Sequence, residues 1–393
     1  MSKKRVLISG AGIAGPALAY WLARYGFAPT IVERASALRE GGQAVDFRGA
    51  AHLEVLRSMG IYEAVASRQT RMGVQVLLGA DGSPVTTLPA AFMSGDLEIL
   101  RGDLSRILFD KAESGTEAIF GHSISRIVES DDDLDVTFDD GSVRTFDLVV
   151  GADGLHSNVR SLVFGEESRF VRFLGHYVAS FTMPNAFDLE KSGVIYSVPG
   201  RGMSISSARK EGEVRVSFVF ASSDSGLEKA SFAKQKEVIV ATYAGVGWRV
   251  PEVISALRDA RDLYFDAIAR VDISEVSKGR VALIGDAAFG ATLAGQGTGA
   301  ALIAAYVLAG ELDGAKGDHA LAFARYERLI RPYATRCQKN AVHVGPFYAP
   351  SSRAAVTMRN TMYRVLGWKL FEGVLHRLVT GAADGIALSS YGS

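Results

Sequence analysis

Apolar positions follow three rhythms along this chain. Near the start, Val6-Leu7-Ile8-Ser9 is a short continuous apolar run of the kind a buried parallel strand needs. Gly10-Ala11-Gly12-Ile13-Ala14-Gly15 interrupts it, Pro16 to Tyr25 resumes at helical spacing, Gly26 closes that helix, and Pro29 to Glu33 forms a second strand. Two later apolar strands run into a glycine and an acid: Leu148-Val149-Val150 into Gly151-Ala152-Asp153-Gly154, and Val281-Ala282-Leu283-Ile284 into Gly285-Asp286. A glycine-rich loop, Gly295-Gln296-Gly297-Thr298-Gly299, then opens a long apolar helix. Between residues 173 and 265 the pattern changes. "HYVASFTM", "GVIYSV", "GMSISSA" and "EVRVSFVF" read as antiparallel strands separated by Gly, Pro, Lys and Glu. A hairpin through Asp81-Gly82 adds to them.

These elements predict an α/β protein. A Rossmann-like dinucleotide domain is assembled from residues 1–72, 97–172 and 266–330. A mostly antiparallel β-sheet domain, residues 73–96 and 173–265, is inserted into it. A C-terminal helical segment, residues 331–393, follows. In that segment "AAVTMRNTMYRVLGWKLFEGVLHRLV" places Val356, Met362, Tyr363, Leu366, Leu370, Val374 and Leu378 at near-helical spacing with basic residues between them. Packing across its own protein is the reading preferred to lying on a membrane surface.

The glycines of the first turn have separate tasks. Gly10 permits the tight turn, Gly12 lets backbone approach a pyrophosphate, and Gly15 allows helix and strand to pack closely. The helix N-terminus offers unpaired N–H groups and partial positive charge to the phosphates. Glu33 ends the second strand 18 residues after Gly15, where a carboxylate can accept hydrogen bonds from an adenosine ribose. That acid disfavours a 2′-phosphate, leaving FAD or NAD as the resident ligand. At the other signatures, Asp286 is placed to bind a sugar-like chain, and the following helix N-terminus to face a ring carbonyl that gains negative charge. "LRGDL" sets Arg101 just before a helix that Asp103 is expected to cap.

Composition narrows the classes. In 393 residues, Lys plus Arg balances Asp plus Glu at 43 each, which argues against a general nucleic-acid binder. A single cysteine, Cys337, excludes an internal disulfide and a thiolate-rich metal site, and suits a reducing cytosol. The N-terminal apolar run is too short for a signal peptide, and the run from Ala300 to Gly310 is about half of a bilayer span. The expectation is a soluble, cytoplasmic monomer without nucleic-acid or membrane partners. The seven histidines show no close ligand pair, so no metal site is expected; Ser157 lacks a Gly-x-Ser-x-Gly context. Asp131-Asp132-Asp133 reads as a solvated turn.

Taken together, the Gly10–Gly15 turn with Glu33, the Asp153-Gly154 segment and the Gly285-Asp286 segment resemble the class A FAD-dependent aromatic monooxygenases. Within that family, "GGQAVDFRG", "LEILRGDL" and "GQGTGAALIAAYVLAGEL" are similar to the tetracycline-inactivating flavin monooxygenases. The resemblance implies tightly but non-covalently bound FAD, with NADPH or NADH as a transient reductant and O2 as co-substrate. It also implies hydroxylation of a phenolic or enolic polycyclic small molecule through a flavin C4a-hydroperoxide, without a protein nucleophile or metal. The residues it assigns to FAD are Gly10, Gly12, Ala14, Gly15, Glu33, Arg34, Asp46, Arg101, Asp153, Asp286, Gly295, Gly297 and Gly299, with Arg39 at the NAD(P)H approach. No second Gly-x-Gly-x-x-Gly unit exists, so the nicotinamide is expected to visit the FAD domain without a domain of its own.

The chain departs from the family pattern where a histidine usually follows Gly-Asp-Ala-Ala and prolines precede the next glycines. It has Phe289 and Ala291-Thr292-Leu293, so the loop beside the flavin is expected to differ in shape. Substrate contacts are sought on the inserted sheet at Arg201, Arg215, Phe218 and Phe220, against the plainer alternative that they pack or are solvated. Two rival functions stay open: a flavin dehydrogenase or oxidase that never inserts oxygen, and a flavin-binding regulatory module.

Overall fold

A computed structural model describes residues 3–39, 42–90, 94–208, 210–293, 296–366 and 385–391. Two sheets carry the architecture. The first has six strands in the order Ser277–Lys278, Val281–Leu283, Leu148–Gly151, Arg5–Ser9, Ala28–Glu33 and Glu117–Phe120. Its pairings are parallel except at the Ser277–Lys278 edge. Val6, Leu7, Ile8, Val149, Val150 and Ala282 are fully buried, as a parallel sheet covered on both faces requires. Helices Ala14–Arg24 and Gly297–Gly314 pack together on it, Trp21 meeting Tyr306 edge-on at 4.9 Å.

The second sheet has seven strands in the order Tyr264–Val271, Val171–Pro184, Glu213–Ala221, Arg201–Ser207, Gly193–Val198, Gln75–Leu78 and Pro84–Leu88. All pairings are antiparallel except that of Gly193–Val198 with Gln75–Leu78. The Gln75–Leu78 and Pro84–Leu88 strands form a hairpin in which Gly82, at φ +83°, makes the turn. Helices Phe232–Thr242 and Val250–Asp259 cover one face over Phe181, Phe218, Phe220 and Tyr243. The architecture is therefore α/β, with the inserted antiparallel sheet and C-terminal helices expected.

Boundaries differ in detail. Strands Val171–Pro184 and Tyr264–Val271 run through the expected junctions at 172/173 and 265/266, so continuous strands join the two lobes. Helix His319–Gln338 likewise runs through residue 330, with Pro332 inside it. An interior proline costs about 3 kcal/mol of helix propensity. Burial of Tyr326, Ile330, Tyr333 and Cys337 along the same helix offsets this. Helices Ala341–Tyr348 and Arg353–Leu366 follow, and the expected continuation through Leu370, Val374 and Leu378 lies outside the described residues. Among the described residues no helix is long and apolar enough to cross a membrane.

Candidate active site

The carboxyl ends of four parallel strands converge where the sequence places its glycines and acids, the crevice in which open α/β sheets bind ligands. Gly10 has φ +108°, and a Cβ there would lie 2.6 Å from the Ala152 carbonyl oxygen. A Cβ on Gly15 would lie 2.0 Å from the Gly10 carbonyl oxygen. Gly12 differs: the nearest atom to its Cβ position is Arg101 Nη2, 3.8 Å away. Two neighbours fix the turn. The Glu33 carboxylate accepts from Ala11 N–H at 2.9 Å and Ala35 N–H at 3.0 Å. The Ser105 hydroxyl lies 3.1 and 2.9 Å from the Ala11 and Gly12 carbonyl oxygens. Ala14 is buried in the first turn of its helix, whereas Arg34 and Arg39 are exposed.

Asp153 faces inward. Its carboxylate accepts from the Ser9 hydroxyl at 3.3 Å, from Val159 N–H at 3.0 Å, and from the Ser157 hydroxyl. Ser157 also caps helix Asn158–Val163 by accepting from Arg160 N–H at 3.0 Å. The fully buried Arg160 donates to Leu155 O at 2.7 Å and Ala287 O at 2.9 Å. One guanidinium thus staples the second signature to the third.

Asp286 is exposed between the buried Gly285 and Ala287. Its carboxyl is nevertheless pushed above the usual carboxylate range, by burial first, with Arg101 opposing and Asp266 adding. A side chain that meets solvent yet feels that much protein lines a recess. Gly297, first residue of its helix, would bring a Cβ to 3.6 Å from the Asp286 carboxylate. Arg101 opens helix Arg101–Ala112, so Asp103 lies in the first turn rather than at the cap. Tyr264 is 39% exposed and donates to Asp266 at 2.9 Å; its hydroxyl is held far above its ordinary pKa by burial and then by Asp266, with Arg101 opposing. An open cradle at Gly12, a guanidinium and a recessed carboxylate fit the phosphates and polyol of a dinucleotide such as FAD. Gly295 lies outside the described residues.

Beside Arg101 lies a two-stranded ladder, Ala44–Phe47 with Leu97–Leu100. There Asp46 pairs with Arg48, yet burial pushes its carboxyl up to about 6. His52 is fully buried, accepts from Arg48 N–H at 3.1 Å and meets the Tyr333 hydroxyl at 2.6 Å. Burial drops its pKa to about 4, so the ring is neutral at pH 7. A Cβ on Gly299 would collide with this ring, at 2.1 Å. Gly299 is thus tied to packing on His52.

Strand alternation sorts the four expected substrate contacts. Phe218 and Phe220 are 0% and 1% exposed, in the cluster under the covering helices, where Phe218 stacks on Phe181 at 6.2 Å. Arg201 points the same way and donates to Thr242 O at 3.1 Å. All three therefore lie on the face that the helices cover. Arg215 alone belongs to the opposite face, level with Thr182 and Ser206. The loop without proline takes its own shape: the Thr292 hydroxyl bonds Ala267 O at 3.0 Å and Ala269 N–H at 3.2 Å, and Leu293 adopts φ +58°.

Four groups escaped sequence reading. His156 Nδ1 lies 2.8 Å from Glu167 and its Nε2 3.3 Å from Asp266, while the Tyr264 hydroxyl donates to Asp266 at 2.9 Å. The two carboxylates hold His156 at about 9. No local pattern announces a contact across 110 positions, although His156 inside "ADGLHS" stands next to a signature already recognised.

A family of FAD binding domains matches residues 3–340. The chain belongs to that family. Several curated relatives are named for one activity: a flavin-dependent monooxygenase from an unidentified prokaryote is 38% identical over 372 residues, covering 93% of this chain and 95% of its own. Another, from Legionella longbeachae, is 36% identical over 350 residues, covering 88% and 90%. The protein is a flavin-dependent monooxygenase by that kinship. Among solved structures, tetracycline destructase Tet(55) superposes on it with TM-score 0.85, at 36% identity and 99% coverage of both chains. Tet(51) gives the same TM-score at 32% identity, covering 99% of this chain and all of its own.

Proposed function

We infer that this monooxygenase consumes NAD(P)H and O2 to hydroxylate a phenolic or enolic polycyclic small molecule, with tetracyclines the favoured substrates. The observation that carries this reading is the full-length likeness to two tetracycline destructases, which includes the C-terminal helices as well as the FAD domain. Bound FAD would supply the activation of oxygen, and the chain supplies position, charge and exclusion of water.

Its residues divide that work. The turn at Gly10, Gly12, Ala14 and Gly15 offers backbone N–H groups to the pyrophosphate, with Glu33 at the end of the second strand. Arg34 stands outside, on the exposed side of that acid. Arg101, Asp286 and Gly297 surround the recess that suits the polyol chain, and Asp46 and Gly299 lie on its His52 side. Asp153 acts through the backbone it organises around Ser157 and Val159. Arg39, exposed on the loop after Glu33, is the cation assigned to the approaching NAD(P)H.

Reductant consumption with and without tetracycline, across a panel of polycyclic phenols, tests the reading. Tetracycline-stimulated NADPH oxidation with a product one oxygen heavier supports it. If tetracycline neither stimulates consumption nor gains oxygen, tetracycline is removed from the proposal.

A further inference from the structure

The face of the seven-stranded sheet turned away from helices 232–242 and 250–259 carries a feature that stability does not explain. In one register row Tyr264 pairs with Ser180, Ser180 with Ser217, and Ser217 with Ser204, so four hydroxyls lie side by side across four strands. On the other face the same strands are built from Tyr177, Phe181, Met203, Ile205, Phe218 and Phe220. Serine removes little apolar surface from water, so three in the middle of a sheet add little to folding. Ser180 is only 4% exposed and Ser204 and Ser217 are half-buried, yet none of the three hydroxyls is hydrogen-bonded to a described residue.

Both ends of the row are bounded. Beyond Ser204 the row reaches Ile195, which packs under Phe347, Tyr348 and Tyr363 of the C-terminal helices. At the other end the Tyr264 hydroxyl donates to Asp266 at 2.9 Å, and Asp266 lies 3.3 Å from His156 in the second cofactor signature. Strands are about 4.8 Å apart, so the three serines span about 10 Å, the length of about four linearly fused six-membered rings.

We propose that Ser180, Ser204 and Ser217 form a hydroxyl rail that recognises the oxygen-bearing edge of a linear fused-ring phenol or enol. This rests on the polycyclic-substrate reading above and assigns the residues that select for it. The rail donates to and accepts from substituent oxygens along one edge of the ring system. The Phe347–Tyr363 wall supplies apolar contact, and the opposite edge stays open toward the cofactor. A polycycle without edge oxygens leaves the serines unpaired, so the rail discriminates between frameworks of equal size.

The FAD-loaded protein and its S180A/S204A/S217A variant test this with two probes titrated by the change in flavin absorbance: 1,8-dihydroxyanthraquinone, with three oxygens along one edge, and anthraquinone, bare of hydroxyls and with one oxygen on that edge. The wild type is expected to bind the hydroxylated probe at least tenfold more tightly than the bare one. The triple variant should keep its flavin content and thermal transition but lose that preference, by weakening for the hydroxylated probe alone. An unchanged preference in the variant overturns the rail while leaving the polycycle reading intact. If the wild type binds neither probe, nor tetracycline, both fall together.

Discussion

Gly12 and Gly15 stand three positions apart and answer to different constraints. A Cβ on Gly15 would sit 2.0 Å from a backbone oxygen, whereas one on Gly12 meets only a guanidinium nitrogen at 3.8 Å. Gly15→Ala is therefore expected to lower stability of the whole domain. Gly12→Ala should keep the wild-type thermal transition and lose most of the bound FAD, measured as flavin absorbance per protein. A Gly12→Ala protein that retains a full complement of flavin would contradict the assignment of this turn to the pyrophosphate. His156 gives a second test. Its folded pKa, about 9 against an ordinary 6.5, means its contribution to stability is full below about pH 6.5 and disappears as pH rises through 9. The charges facing it are Glu167 and Asp266, with Lys229 and Arg160 acting on Glu167. The thermal transition should fall across that window in the wild type and be flatter in His156→Gln. Asp266→Asn should bring the imidazole back toward 6.5 by NMR titration. Gly10 and Gly15 were legible because a steric demand on one residue shows as its identity. His156 was not, since Asp266 comes from a strand 110 positions away in the chain.

Two buried arginines hold elements together. Arg160 bridges Leu155 and Ala287, and Arg359 of helix Arg353–Leu366 reaches Ser197 at 2.9 Å, the Phe347 carbonyl at 2.5 Å and Asn360. Burial lowers the Arg359 pKa to about 10, with Tyr363 and Tyr348 opposing, so it stays charged at pH 7. Arg160→Ala should destabilise the protein by about 3 kcal/mol, because the buried Ala287 carbonyl and the part-buried Leu155 carbonyl lose charged donors. Urea unfolding measures that loss. Arg359→Ala should free helix Arg353–Leu366 from the sheet, read as faster proteolysis near residues 350–366 with the FAD domain intact. The strands of the inserted sheet were visible as alternation, but alternation does not say which face is covered. Phe218 and Phe220 share their face with the helices 232–242 and 250–259, and Arg215 and Ser217 share the other. The same limit placed a boundary near Pro332, where the core along helix His319–Gln338 outweighs the local preference of one residue.

Over the whole molecule, the two lobes meet along a seam where cofactor signatures and substrate sheet share residues. Asp266 and Thr292 belong to one lobe each and touch the other. The FAD domain was readable because its signatures are backbone requirements that any sequence with this ligand must meet. Substrate identity was not, because it depends on a recess assembled from strand faces, a loop without the family's prolines and the C-terminal helices. The central claim is that this recess carries out oxygen insertion. Turnover with NADPH and a phenolic polycycle such as tetracycline under 18O2, followed by mass spectrometry, tests it most directly. One 18O atom in each product molecule is the predicted result. Reductant consumed with a product that carries no label would contradict it, and would leave a flavin dehydrogenase or oxidase on the same fold.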